Sequence, residues 1–124
     1  CLELAEAAAL VFGPEFTDRV EPVRALLPRV GLYFFVGGNE PAFAQNYAHA
    51  AEICPSQAPQ IRLTDEDDAA IYFSSGTTGF PKAILHNHRS LVSSCRTEQN
   101  HHGQTRADNF LCIPPLYHTG AKMH

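Results

Sequence analysis

Tyr72-Phe73-Ser74-Ser75-Gly76-Thr77-Thr78-Gly79-Phe80-Pro81-Lys82 is the stretch that decides how this 124-residue chain is read. An apolar run, Ala69 to Phe73, leads straight into two glycines, four hydroxyl residues and a lysine. Gly76 and Gly79 tolerate positive φ and carry no Cβ, so backbone N–H groups there can come close to an anion. Ser74, Ser75, Thr77 and Thr78 add hydroxyl donors that can turn toward phosphate oxygens. Lys82 adds a mobile ammonium, suited to a polyphosphate as a point charge. Pro81 restricts the backbone just before it. The composition is that of a phosphate cradle.

The stretch is not the P-loop of NTPase folds, which ends in Gly-Lys-Ser/Thr and opens directly into a helix. Here Pro81 precedes Lys82, and Ala83-Ile84-Leu85-His86 reads as a strand. Backbone amides, hydroxyls and Lys82, rather than a helix N-terminus, would therefore be the anion donors. The plainer alternative is a Ser/Thr/Gly surface loop joining two strands.

The run Ser74 to Lys82 resembles the phosphate-binding motif of the adenylate-forming (AMP-binding) superfamily, which includes acyl-CoA synthetases, aryl-CoA ligases and peptide-synthetase adenylation domains. Ala83 departs from the glycine that many members carry after the lysine. A second motif, Pro114-Pro115-Leu116-Tyr117-His118-Thr119-Gly120, is similar to the Pro-Leu-aromatic-His segment that lines the family's acyl pocket. The resemblance implies an AMP-forming acyl-CoA synthetase acting on a carboxylic, fatty acid. A carboxylate would attack the α-phosphate of ATP, and coenzyme A would then displace AMP. It implies further that Ser74, Ser75, Gly76, Thr77, Thr78, Gly79 and Lys82 hold the ATP phosphates, with Mg²⁺ carried on the nucleotide. Tyr117 and His118 would contact the acyl group, and no catalytic residue is assigned within the chain. A peptide-synthetase-type adenylation domain and a non-catalytic nucleotide-binding or scaffold fragment are the alternatives. Ser74-Ser75-Gly76 together with Tyr117-His118 leans toward the CoA ligases.

Composition agrees with a globular chain: 44% hydrophobic and 18% charged residues. A formal net charge of −4 provides no basic footprint for nucleic acid. No apolar run approaches the ~20 residues of a membrane span. Cys1, Cys54, Cys95 and Cys112 show no Cys-x-x-Cys spacing, so thiols in a reducing compartment, the cytoplasm, are expected over a zinc site. No histidine pair has helical ligand spacing with a partner carboxylate, so no metal site is assigned. The chain opens on Cys-Leu-Glu-Leu without an initiator methionine and closes just after the second motif. Residues 1–124 are accordingly expected to be an internal fragment of an adenylation domain, truncated at both ends.

Along the chain, residues 2–9 are strong helix formers and Ala9 to Phe12 reads as a short buried strand. Phe16, Val20, Val23 and Leu27 share one helical face, which Pro22 should kink or split. Leu32 to Val36 is a continuous apolar strand. Asn39 is expected to cap a helix running toward Cys54, and residues 55–59 form a linker. Asp65-Glu66-Asp67-Asp68 reads as a solvated turn rather than a metal site, since carboxylates beside a phosphate loop would repel a nucleotide. Asn87 should cap a helix to about Gln99, and Phe110 to Ile113 reads as another buried strand. This alternation predicts an α/β layered domain, a largely parallel sheet flanked by helices, with a local hairpin around the phosphate loop.

Overall fold

A computed structural model of the chain describes residues 1–74, 79–115 and 118. It divides into two compact units, residues 1–60 and 61–124. In the first unit three short strands form a parallel sheet in the order β1-β2-β3: β1 is Ala9–Phe12, β2 is Leu32–Phe35 and β3 is Gln45–Asn46. Helix α1, Thr17–Val23, crosses between β1 and β2, and α2, Tyr47–Glu52, follows β3. The second unit is an antiparallel hairpin of β4, Asp68–Ser74, and β5, Lys82–Asn87, followed by α3, His88–His102. The expected combination of a parallel sheet, flanking helices and a local hairpin is thus present.

The core of the first unit is one face of its sheet plus one helix residue. Leu10 and Phe12 alternate inward on β1, opposite Tyr33 and Phe35 on β2. Period-two alternation leaves Val11 and Leu32 on the outer, exposed face. The two strands are therefore half-buried, not buried on both faces as their unbroken apolar runs suggested. Val20 of α1 and Val30 complete the core. Phe43 lies parallel to Phe12 with ring centroids 5.9 Å apart and edge-on to Tyr33 at 5.8 Å. The Arg24 guanidinium covers the Phe43 ring at 4.2 Å, a cation–π contact that closes the aromatic cluster.

Three local expectations are corrected and one, the split helix, is met. Residues 2–6 form hydrogen-bonded turns rather than a helix, and Glu6 takes a left-handed conformation at φ 50°. A few good helix formers cannot offset the nucleation cost when a strand starts at Ala9. The α-helix runs through Pro22 to Val23 and tightens into a 3-10 turn, Arg24–Leu26, which is the split that proline foreshadowed. Asn39 caps nothing; it sits at φ 60°, a left-handed position asparagine tolerates. The cap of α2 is Asn46, whose side chain accepts the His49 N–H at 3.1 Å and donates to the Gly37 carbonyl. Finally, Phe110 to Ile113 is irregular backbone, with Leu111 and Ile113 78% and 81% exposed, not a buried strand.

Helix α3 matches its expected start and overruns its expected end. Asn87 accepts the Ser90 N–H at 2.9 Å as N-cap. The helix continues three residues past Gln99 and stops at Gly103, whose φ of 66° is the left-handed C-terminal stop that glycine provides.

Candidate functional site

The hairpin brings the two ends of the glycine- and hydroxyl-rich stretch together. Ser74, the last residue of β4, is the direct partner of Lys82, the first of β5. Residues directly opposite in an antiparallel pair project from the same face. Ser74 and Lys82, Tyr72 and Ile84, and Ala70 and His86 therefore share one face; Phe73 with Ala83 and Ile71 with Leu85 share the other. A hydroxyl and an ammonium thus stand side by side at the mouth of the hairpin, both exposed. Gly79, three residues before Lys82, takes φ 81°, the positive φ that its glycine was expected to allow. A Cβ built there would meet no heavy atom within 4 Å, so the glycine is required by backbone conformation, not by crowding. Ser75, Gly76, Thr77, Thr78 and Tyr117 lie outside the described residues.

The His118 N–H donates to the Pro115 carbonyl at 2.8 Å. Its side chain is exposed. Pro114 and Pro115 each restrict the backbone φ at their own positions.

The far end of the hairpin carries an arrangement that residue types alone did not reveal. The Asp67 carboxylate accepts both the Thr64 N–H and the Thr64 hydroxyl, closing a turn. These two bonds, the backbone one first, hold the Asp67 carboxyl below the usual aspartate range. Lowering the folded value makes this contribution complete at neutral pH and lost only as pH falls through the depressed value. The carbonyls of Asp65 and Asp67 accept the N–H groups of Arg89 and His88 at 2.9 and 3.1 Å. Glu66 uses both carboxylate oxygens, one with Arg89 at 2.6 Å and one with the Asn87 amide at 3.2 Å. The acidic run is thus a turn, as expected, but it clasps the start of α3 rather than standing free. Its sequence signal is the Thr64-x-x-Asp67 spacing, which recurs as Thr105-x-x-Asp108 with the same bonds. Among the described residues no group of three His, Cys, Asp or Glu side chains is placed to hold a metal ion. No described helix is long and apolar enough to cross a membrane.

A family model described as AMP-binding enzyme matches residues 1–123. A long-chain-fatty-acid–CoA ligase of Thermus thermophilus is 25% identical over 122 residues, covering 97% of this chain and 22% of the relative. A 4-coumarate–CoA ligase of Pinus taeda is 33% identical over 78 residues, covering 60% of this chain and 14% of the relative. The chain therefore spans less than a quarter of the length of these relatives. Among solved structures, a protein from Rhodopseudomonas palustris described as a long-chain-fatty-acid CoA ligase superposes with a TM-score of 0.80 at 25% identity. That match covers 98% of this chain and 30% of the other.

Proposed function

This chain belongs to the AMP-binding enzyme family, and from that premise we propose that it forms part of an enzyme that activates a carboxylic acid with ATP. The acid oxygen attacks the α-phosphate, pyrophosphate leaves, and the resulting acyl-adenylate passes its acyl group to the thiolate of coenzyme A as AMP departs. The observation that carries this reading is the pairing of Ser74 with Lys82 at the hairpin mouth, with Gly79 in a left-handed conformation beside them. In this role Ser74, Lys82 and the residues 75–79 hold the β- and γ-phosphates and then release pyrophosphate. Chemistry of this kind runs on positioning and charge neutralisation, with no covalent enzyme intermediate.

The donor set at the mouth is hydroxyl and ammonium, not carboxylate. Such a set fits a magnesium ion carried by the phosphates and completed by water. The ion would offset the charge of the triphosphate together with the Lys82 ammonium.

We assign the acid as a fatty acid, supported by the name of the Thermus thermophilus relative, and the acceptor as coenzyme A, supported by the names of both relatives. A cytoplasmic, reducing location is proposed from the spacing of Cys1, Cys54, Cys95 and Cys112, none of which stands in a Cys-x-x-Cys pair. The test is pyrophosphate exchange into ATP by the enzyme carrying this chain, with fatty acids and hydroxycinnamic or benzoic acids compared. Fatty acids should give the fastest exchange, and coenzyme A alone should complete the thioester. Faster exchange with an aromatic acid would replace the substrate assignment. Transfer only to a carrier protein would replace the acceptor.

Tyr117 and His118 line the junction of acyl group and adenylate in this reading. His118→Ala should therefore alter acid selectivity or the thioester step more than the affinity for ATP. A variant whose sole defect is a weaker ATP Kd would remove His118 from that position.

A further inference from the structure

The two threonine–aspartate turns of the second unit are built alike, yet only one of them leads into a paired strand. At the first, the Asp67 carboxylate accepts the Thr64 N–H and hydroxyl, and the Asp67 N–H donates to the Thr64 carbonyl at 3.2 Å. Strand β4 follows at once and pairs with β5. At the second, the Asp108 carboxylate accepts the Thr105 N–H and hydroxyl at 2.6 and 3.2 Å, and the Asp108 N–H donates to the Thr105 carbonyl at 3.2 Å. The apolar run Phe110-Leu111-Cys112-Ile113 follows. Among the described residues, the backbone of Leu111, Cys112 and Ile113 makes no hydrogen bond to other backbone groups.

In an extended backbone Leu111 and Ile113 would take one face and Phe110 and Cys112 the other, and all four are exposed. Apolar side chains in water beside unpaired backbone groups are the profile of a strand without its sheet. The Rhodopseudomonas palustris structure superposes over 98% of this chain, which makes up only 30% of that protein. More than two-thirds of such a fold therefore lies outside these residues. A sheet edge within the same polypeptide also pairs at high effective concentration, which a second copy does not. We infer that residues 110–113 are a docking strand, which pairs with a sheet edge of the same polypeptide outside residues 1–124 and thereby positions Tyr117 and His118. The motif Pro114 to His118 starts where the run ends, and open α/β sheets bind ligands beyond the carboxyl ends of their strands. Leu111 and Ile113 are positioning residues, acting through that motif, and this second part rests on the acyl-junction role proposed above.

Cys112 reports docking without any substitution, because its thiol is exposed in this chain. In the enzyme carrying this chain, alkylation of Cys112, read by peptide mass spectrometry, should run at least about tenfold slower than in the same protein unfolded in urea. Amide hydrogen exchange across residues 110–113 should slow with it, and both effects should persist on dilution. Alkylation at the unfolded rate overturns the inference. Slow alkylation with rapid amide exchange means cover without strand pairing and overturns it as well. Protection that disappears on dilution makes a second copy the partner, which also contradicts the stated occupant.

The positioning part is read with Ile113→Ala, which trims the residue just before Pro114. Acid selectivity should change, or the thioester step slow, by up to about a hundredfold, while the KM for ATP stays unchanged. Equal loss in every step is general destabilisation, and no loss in any step leaves nothing to position; either result overturns this part. If His118→Ala itself changes neither acid selectivity nor the thioester step, the acyl-junction reading fails and the protection of residues 110–113 still stands.

Discussion

Lys82→Ala is expected to slow carboxylate-dependent adenylate formation about tenfold to a hundredfold in the enzyme carrying this chain, while a preformed acyl-adenylate still reacts with coenzyme A. The magnitude follows from the loss of one charge-assisted hydrogen bond, roughly 1.5–3 kcal/mol. The selectivity follows from position. Lys82 stands opposite Ser74 at the hairpin mouth, where the departing pyrophosphate would sit, and the thioester step no longer contains that group. Rapid-quench measurement of adenylate and of thioester separates the two steps. Equal slowing of both would show that Lys82 supports the fold or the nucleotide in general, not the triphosphate. Gly79→Val should act in the same direction, because an L-residue held at φ 81° adds roughly 1–2 kcal/mol of backbone strain.

The second large effect is a complete loss: the 124 residues by themselves should give no carboxylate-dependent pyrophosphate exchange. Adenylation requires the α-phosphate, ribose and acid to be held together, and such positioning can supply ~7–11 kcal/mol of the barrier. The chain spans only 14% and 22% of the two curated relatives described above. Its packing points the same way. All five buried apolar residues, from Phe12 to Phe35, belong to the unit of residues 1–60. No described residue beyond Gln60 is buried, and Ile84 and Leu85 of the hairpin are 45% and 58% exposed. Apolar strands exposed in this way favour association. Exchange with a panel of fatty and aromatic acids is the check. A carboxylate-dependent signal above the protein-free blank would show that these residues contain a whole active site.

The ends of the hairpin and the start of α3 were legible because each carries its own local chemistry. Ala69 to Phe73 is a strand-length apolar run, Gly79 needs a positive φ, and Asn87 is an N-cap followed by a helical pattern. What escaped the sequence depends on partners far along the chain or on competition between equals. Asn39 and Asn46 are both plausible caps; the choice fell to Asn46, whose amide also reaches the Gly37 carbonyl and Glu40. Phe110 to Ile113 has a strand's composition, but composition cannot state which edge it would join. Val11 and Leu32 look like core and lie on the outer face, because an unbroken apolar run does not say how many faces are covered. The face on which Lys82 emerges was the least legible feature. It is given by the cross-strand register, Ser74 opposite Lys82 with a bulge at Ala69, which no periodicity within β4 or β5 reveals.

The central claim is that the hairpin mouth holds the β- and γ-phosphates, and competition by two fragments of ATP tests it most directly. Inorganic tripolyphosphate shares those phosphates with ATP, whereas AMP shares the adenosine and the α-phosphate. Inhibition constants for both are measured against pyrophosphate exchange in the enzyme carrying this chain and in its Lys82→Ala variant. Inhibition by tripolyphosphate should weaken about tenfold to a hundredfold in the variant, the loss of one charge-assisted contact, while inhibition by AMP stays unchanged. Equal weakening of both, or weakening of AMP alone, would contradict the assignment of the hairpin mouth to the terminal phosphates.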